Sequence, residues 1–215
     1  MKAHRPRTPK AVPRTGEARL RPLSDVVRLP QRSPLAPALD RALAAAARLH
    51  LLRTDLLPVP VRPTSTRTEA GAYRYVKHDP IDLRVSRAAG RTILAFLHEL
   101  GHFVDHQLGY DESRRMFASA WHPAFADWRD AVGRSVRVWD AALARPFYVQ
   151  RELWARSYAQ TILLRSSDPG LEAQLAELQR TGDAFVWPRD QFEPIAKAVA
   201  GVFARLELSP VRLSA

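Results

Sequence analysis

The spacing of apolar positions changes along this chain, and the changes divide it. Before Leu39 apolar residues are sparse, and prolines recur at Pro6, Pro9, Pro13, Pro22, Pro30, Pro34 and Pro37. No regular element survives that spacing, so residues 1–38 read as a disordered arm rich in Arg and Pro. Leu39, Leu43, Ala46, Ala47 and Leu51 then recur at helical intervals and predict a helix over Asp40–Leu52. Residues 55–63, cut by Pro58, Pro60 and Pro63, read as an extended connector. Ala72–Lys77 alternates and is aromatic, and Ile81–Val85 alternates strictly. With a turn at His78-Asp79-Pro80 between them, the two predict a β-hairpin. Helical spacing returns over Arg87–Gln107, Ala124–Ala144, Pro146–Leu164, Leu171–Gln179 and Arg189–Leu206. Ser86 reads as the cap of the first of these helices and Gly109 as its stop. The expected fold is α+β: one mostly helical domain over residues 39–208, with a small sheet or hairpin before its central helix. Residues 209–215 are expected to be a tail.

The central helix carries His98-Glu99-Leu100-Gly101-His102, followed by Asp105. At about 100° per residue, His102 lies about 40° from His98, and Asp105 about 20° to the other side. Ile93, Phe96, Leu97, Leu100, Phe103 and Val104 fall on the opposite face. Two imidazoles one turn apart can reach the same metal ion, and Glu99 between them is placed to act on a water there. Gly101 costs a helix interior about 1 kcal/mol relative to Ala, so it points to a close approach by another element. Seven His and nine Glu in 215 residues would produce the five-residue pattern by accident at a rate of about 1%. The helical phase and the strands just upstream argue against accident.

Composition narrows the chemistry. The chain has no cysteine, so disulfides and thiolate-bound zinc are excluded, and any zinc must be held by His and carboxylates. No run of about 18 apolar residues predicts a membrane span, and no apolar segment follows the basic start as a Sec signal would require. A cytoplasmic location is expected, with delivery by a non-Sec route left open. The net charge of +11 is almost all arginine, since Lys occurs only at positions 2, 10, 77 and 197. With the abundant Ala and Pro, this looks like the bias of a GC-rich coding sequence rather than a surface for specific nucleic-acid binding.

Catalytic zinc usually takes three protein ligands and keeps a position for water. The best third candidate is Glu152, on one helical face with Ala155, Arg156 and Ala159. The small alanines would let this helix pack closely on the first. Arg156, four residues on, could pair with Glu152 or orient it as a ligand. Asp105 is the alternative third ligand, but its position better suits accepting the N–H of a ligating imidazole. His106 falls off the ligand face and reads as a surface or groove residue.

The run His98-Glu99-Leu100-Gly101-His102-Phe103-Val104-Asp105, with Glu152-Leu153-Trp154-Ala155-Arg156 about fifty residues later, resembles the gluzincin metallopeptidases. The likeness is strongest to the anthrax lethal-factor-like and phage-associated branch, and it covers roughly residues 72–165. It implies a zincin-like fold, zinc on His98, His102 and Glu152, and Glu99 as general base. It also implies a tyrosine that steadies the oxyanion, for which Tyr148 and Tyr158 compete.

The expected activity is therefore that of a zinc metalloendopeptidase of bacterial or phage type acting on a peptide or protein. An extended substrate is expected beside Ile81–Val85. Three rivals stand against it: a zinc hydrolase of non-peptide amides, a phage-, mobile-element- or toxin-associated binding module that keeps the fold without the activity, and a basic nucleic-acid-binding protein with an accidental motif.

Overall fold

The computed structural model describes residues 19–53, 55–66, 68–87, 91–109, 117–135, 146–183 and 185–210, without the side chains of 146–149. The strands are β1 (Leu20–Arg21), β2 (Val27–Arg28), β3 (Leu52–Arg53), β4 (Val59–Thr64), β5 (Gly71–Val76) and β6 (Asp79–Ser86). The helices are α1 (Ala36–Leu49), α2 (Thr92–Gly109), α3 (Ala118–Trp121), α4 (Ala126–Ser135), α5 (Pro146–Leu164), α6 (Pro169–Arg180) and α7 (Arg189–Arg205). The fold is α+β and mostly helical, with a small sheet. Among the described residues no helix is long and apolar enough to cross a membrane.

The hairpin forms as β5 and β6, antiparallel, with Lys77 in the left-handed region at the turn. It belongs to a four-stranded sheet of order β2-β4-β6-β5, in which β2, β4 and β6 run parallel. The alternation over Ile81–Val85 slips by one residue. Arg74 pairs with Asp82 and Tyr75 with Pro80, so Ile81 is the extra residue of a bulge and is 40% exposed. Asp82 is buried in its stead, ringed by Arg62, Arg74 and Arg84.

Two expectations about the first third of the chain are corrected. The domain begins well before residue 39: Leu23, Val26 and Val27 are buried in the core, and residues 1–18 lie outside the described part. The connector over 55–63 is partly a sheet strand, β4. β2 borders Val59 and Pro60 while β6 borders Val61–Thr64, so its two neighbours meet different halves. That stagger accommodates prolines inside a sheet, which continuous pairing on both edges would not.

Three of the later helices follow the spacing closely. α5 has the expected bounds, and α6 and α7 differ from theirs by a few residues. The helix expected over 124–144 starts as a 3-10 turn at Pro123–Phe125 and continues as α4. Its remainder, with Val136 and Trp139, lies outside the described residues. Ser86 does not cap α2, which begins at Thr92. Its hydroxyl instead donates to the Thr66 carbonyl at 2.6 Å, and Thr92 Oγ1 donates to the Ser86 carbonyl.

α2 is the helix around which the rest packs. It touches β5, β6, α1, α3 and α5, the last most extensively. Phe96, Leu97, Leu100, Phe103 and Val104 are fully buried. Each such side chain contributes about 1.5–3 kcal/mol relative to exposure. The polar face is covered too: Glu99, His102, Asp105, His106 and Gln107 are all buried. A Cβ on Gly101 would stand 3.0 Å from the Ala155 Cα and 3.1 Å from the Tyr158 ring, so α5 crosses α2 at this glycine. Trp154, fully buried, donates its indole N–H to the Gly101 carbonyl at 3.2 Å.

Gly101→Ala tests the crossing. Helix propensity alone predicts a gain of about 1 kcal/mol. The contact with backbone predicts a net loss of about 1–3 kcal/mol. A raised urea midpoint for the variant would remove the close approach as a constraint.

Candidate metal centre

α2 presents His98 and His102 one turn apart, and α5 presents Glu152 opposite them. The three side chains meet. His98 Nε2 lies 3.1 Å from His102 Nε2 and 3.2 Å from Glu152 Oε2, and His102 Nε2 lies 3.3 Å from Glu152 Oε1. Among the described residues they form a group able to hold a metal ion. Three ligand atoms at zinc's usual 2.0–2.2 Å in tetrahedral array stand about 3.3 Å from one another. The two imidazole nitrogens keep about that spacing, and each faces a different oxygen of Glu152 at a similar distance, so the carboxylate spans the pair. Two nitrogens and a carboxylate oxygen, without thiolate, also suit a borderline ion such as zinc.

The electrostatics agree with a cation site. Burial lowers the His102 imidazole to about 4, so it is neutral and able to ligate at physiological pH. Burial works against ionisation of Glu152, but hydrogen bonds from His102 and His98 outweigh it and hold the carboxyl well below its ordinary range. Arg151 pairs with Glu152 at 3.6 Å.

Glu99 does not join this cluster. Its carboxylate turns to β5, where Oε2 accepts the Tyr73 backbone N–H at 2.7 Å. A Cβ on Gly71 would stand 2.8 Å from Glu99 Cγ, so the glycine leaves the room that Glu99 occupies. Burial raises the Glu99 carboxyl to about 7, while His98 and the Tyr73 N–H pull it down. A carboxyl near neutrality is suited to taking and returning a proton.

Asp105 is not beside a ligating imidazole. It reaches α3 instead, accepting the Ser119 N–H and hydroxyl, both at 2.6 Å. The short side chain ends on the open amides of a helix start, a ready acceptor for a carboxylate. The buried His102 Nδ1 has no hydrogen-bond partner among the described residues. His106 is fully buried rather than at the surface. Its Nε2–H donates to the Lys77 carbonyl at 2.9 Å, which leaves Nδ1 to accept the Tyr73 hydroxyl at 2.7 Å.

Tyr158 is also displaced from its expected role. It is fully buried, and its hydroxyl donates to His50 Nε2 at 2.8 Å, because His50 Nδ1–H is given to the Leu51 carbonyl. It braces the α2–α5 crossing and does not line the cavity. Tyr148 stands in the first turn of α5, and its side chain lies outside the described residues. Arg156 feels the charge of Glu152 and lies over the Phe185 ring, 4.9 Å from its centroid.

A cavity of about 440 Å³ opens over the cluster. Its walls are the β5 backbone from Gly71 to Tyr73, His98, Glu99, Glu152, and three arginines, Arg91, Arg151 and Arg156. Arg156 was singled out from sequence, whereas Arg91, Arg151 and β5 were missed as site elements. Only Gly71, at the head of an aromatic strand, carried a local signal of close approach.

No family model, curated protein or solved structure matches this chain. The reading of the site therefore rests on its own residues and distances.

Burial raises the Asp105 carboxyl from 3.8 to about 7, against the pull of Ser119. A folded pKa above the unfolded one favours folding below pH 3.8, and that contribution is lost as pH rises through about 7. Asp105→Asn keeps the shape and removes the titration. Between about pH 5 and 8 the unfolding midpoint of the wild type is expected to fall relative to the variant. A difference independent of pH would clear Asp105 of this role.

Proposed function

We propose that the protein is a zinc metallopeptidase of gluzincin type, cutting peptide bonds within an extended substrate. The observation that carries the reading is the meeting of His98 Nε2 and His102 Nε2, 3.1 Å apart on the cavity wall, with one oxygen of Glu152 3.2 Å from the first and the other 3.3 Å from the second. Zinc bound there would supply Lewis acidity, lowering the pKa of water and stabilising negative charge on a carbonyl oxygen.

The chain's own residues do the rest. His98, His102 and Glu152 hold the ion. Glu99 accepts a proton from the attacking water and returns it to the leaving amine. The Tyr73 N–H fixes the Glu99 carboxylate during both transfers. Within the described sheet β5 is the outer strand, while β6, beside which the substrate was expected, is paired on both sides. An extended peptide therefore adds along β5, whose backbone lines the cavity.

Metal content and cleavage of an unfolded protein test the proposal together. Wild type is expected to carry about one zinc and to lose cleavage on chelation, with recovery on zinc addition. Glu99→Gln should keep the metal and lose activity by about 10²–10⁴-fold. Glu152→Ala should lose zinc affinity. Wild type without zinc sinks the proposal, and zinc without cleavage points to a binding module that keeps the site.

Gly71→Ala probes the seat of the base. The added methyl group displaces Glu99 while leaving the ligands untouched. Zinc content is expected to persist, and kcat to fall by up to about a hundredfold. An unchanged kcat would mean that Glu99 does not depend on the strand.

A further inference from the structure

His106 is a fully buried imidazole that neither the metal nor the proton transfers use. Glu99, Phe103 and His106 follow one another at i, i+4 and i+7, so they form one stripe of α2 about 10 Å long. Tyr73 lies along that stripe. Its backbone N–H donates to Glu99 Oε2 at 2.7 Å, its ring stands edge-on to Phe103 with centroids 5.8 Å apart, and its hydroxyl donates to His106 Nδ1 at 2.7 Å. One residue thus joins the proposed base, at one end of the stripe, to the imidazole at the other.

The imidazole is itself held from several sides. Its Nε2–H is given to the Lys77 carbonyl at 2.9 Å. Burial lowers its pKa to about 4, so the ring is neutral and Nδ1 keeps its lone pair. The Tyr75 ring lies 4.4 Å from it and the Phe117 ring 5.5 Å, between centroids. Gln107, the next residue of α2, donates to the His78 carbonyl at 3.1 Å and also acts on the Tyr73 hydroxyl. The hairpin turn and the Tyr73 hydroxyl are therefore fixed to the same turn of α2.

We infer that His106 is a positioning residue for Glu99, acting through Tyr73. The hydroxyl anchored at His106 Nδ1 sets where the Tyr73 amide stands, and that amide sets where the Glu99 carboxylate stands. The inference rests on the peptidase reading for what Glu99 does. With Oε2 committed to the amide, Oε1 is the oxygen that takes the proton from water and returns it to the leaving amine. The ladder to β6 secures only the other side of the strand. Ala72 pairs with Arg84 and Arg74 with Asp82, while the Tyr73 amide between them points away. A misplacement of about 1 Å at a catalytic group costs up to about a hundredfold in rate, so an anchor on this side of β5 matters.

Amide hydrogen exchange, read residue by residue by NMR on the zinc-loaded protein, follows the Tyr73 N–H without any need for cleavage. Tyr73→Phe keeps the ring and the amide and removes only the hydroxyl. Exchange at residue 73 is expected to quicken about tenfold, while Ala72, whose amide faces β6, keeps its rate. On an unfolded protein substrate kcat is expected to fall about tenfold, with KM changed by less than about twofold and zinc retained. His106→Leu should have the same effects, and adding Tyr73→Phe to it should cost little more. His106→Asn puts an acceptor oxygen where Nδ1 stands, and should recover most of kcat and of the slow exchange. Unchanged exchange at residue 73 in Tyr73→Phe overturns the inference. So does a quickening shared by Ala72, which marks loss of the strand rather than of the anchor, and so does an Asn variant no better than the Leu one. Cleavage separates the two claims. Wild type that cuts, with kcat untouched by Tyr73→Phe, leaves the peptidase reading standing and removes the positioning role. Wild type that cuts nothing removes the peptidase reading, and exchange at residue 73 then decides whether His106 holds the carboxylate.

Discussion

The crossing of α5 over Gly101 sets the other distances in the site. Gly101 precedes His102 by one residue, and Ala155 follows Glu152 by three, so the helices touch within a turn of all three donors. The imidazole nitrogens stand 3.1 Å apart, and each lies 3.2 or 3.3 Å from one of the two Glu152 oxygens. Side chains of fixed length cannot keep that spacing if the axes part by the width of a methyl group. Trp154 adds a second constraint: its hydrogen bond to the Gly101 carbonyl, with Phe125 and Trp128 packed on the ring, opposes sliding along the contact.

Placing α2 at the centre of the fold has a cost. Glu99, His102, Asp105 and His106 are removed from water, and burial shifts each towards its neutral form. Fixed partners offset part of that cost. Asp105 ties α3 to α2, and His106 ties the hairpin turn to the end of α2 through Lys77 and Tyr73. These bonds also leave little freedom for α2 to turn about its axis. Stability is traded here for the position of the two imidazoles.

Much of this was legible locally. The hairpin, the bounds of α5, and the phase that puts His98 and His102 together follow from period alone. Gly101 announced the crossing, and the small Ala155 announced its partner. What period does not carry is direction beyond the helix face. Asp105 shares a side with the histidines, yet its two-atom reach ends on Ser119. Tyr158 sits less than two turns beyond Glu152 but points into the core towards His50. β4 was hidden because prolines usually exclude a paired strand, and the staggered neighbours that accommodate them lie far away in sequence. The wall formed by Arg91, Arg156 and Phe185 joins three separate segments, and no local pattern links them.

β5 has two tasks, and its register joins them. Tyr73 turns its N–H away from β6 to hold Glu99, and Gly71, two residues before, presents the same side of the strand and leaves space for the same carboxylate. The edge open to an extended peptide is thus also the seat of the proposed base. A slip of one residue would put a Cβ where Gly71 has none and turn the Tyr73 amide back into the sheet. The bulge at Ile81 fixes one end of that register, and the burial of Asp82 among three arginines depends on it. Through the hairpin, a charge cluster on β6 therefore helps to place a carboxylate on α2.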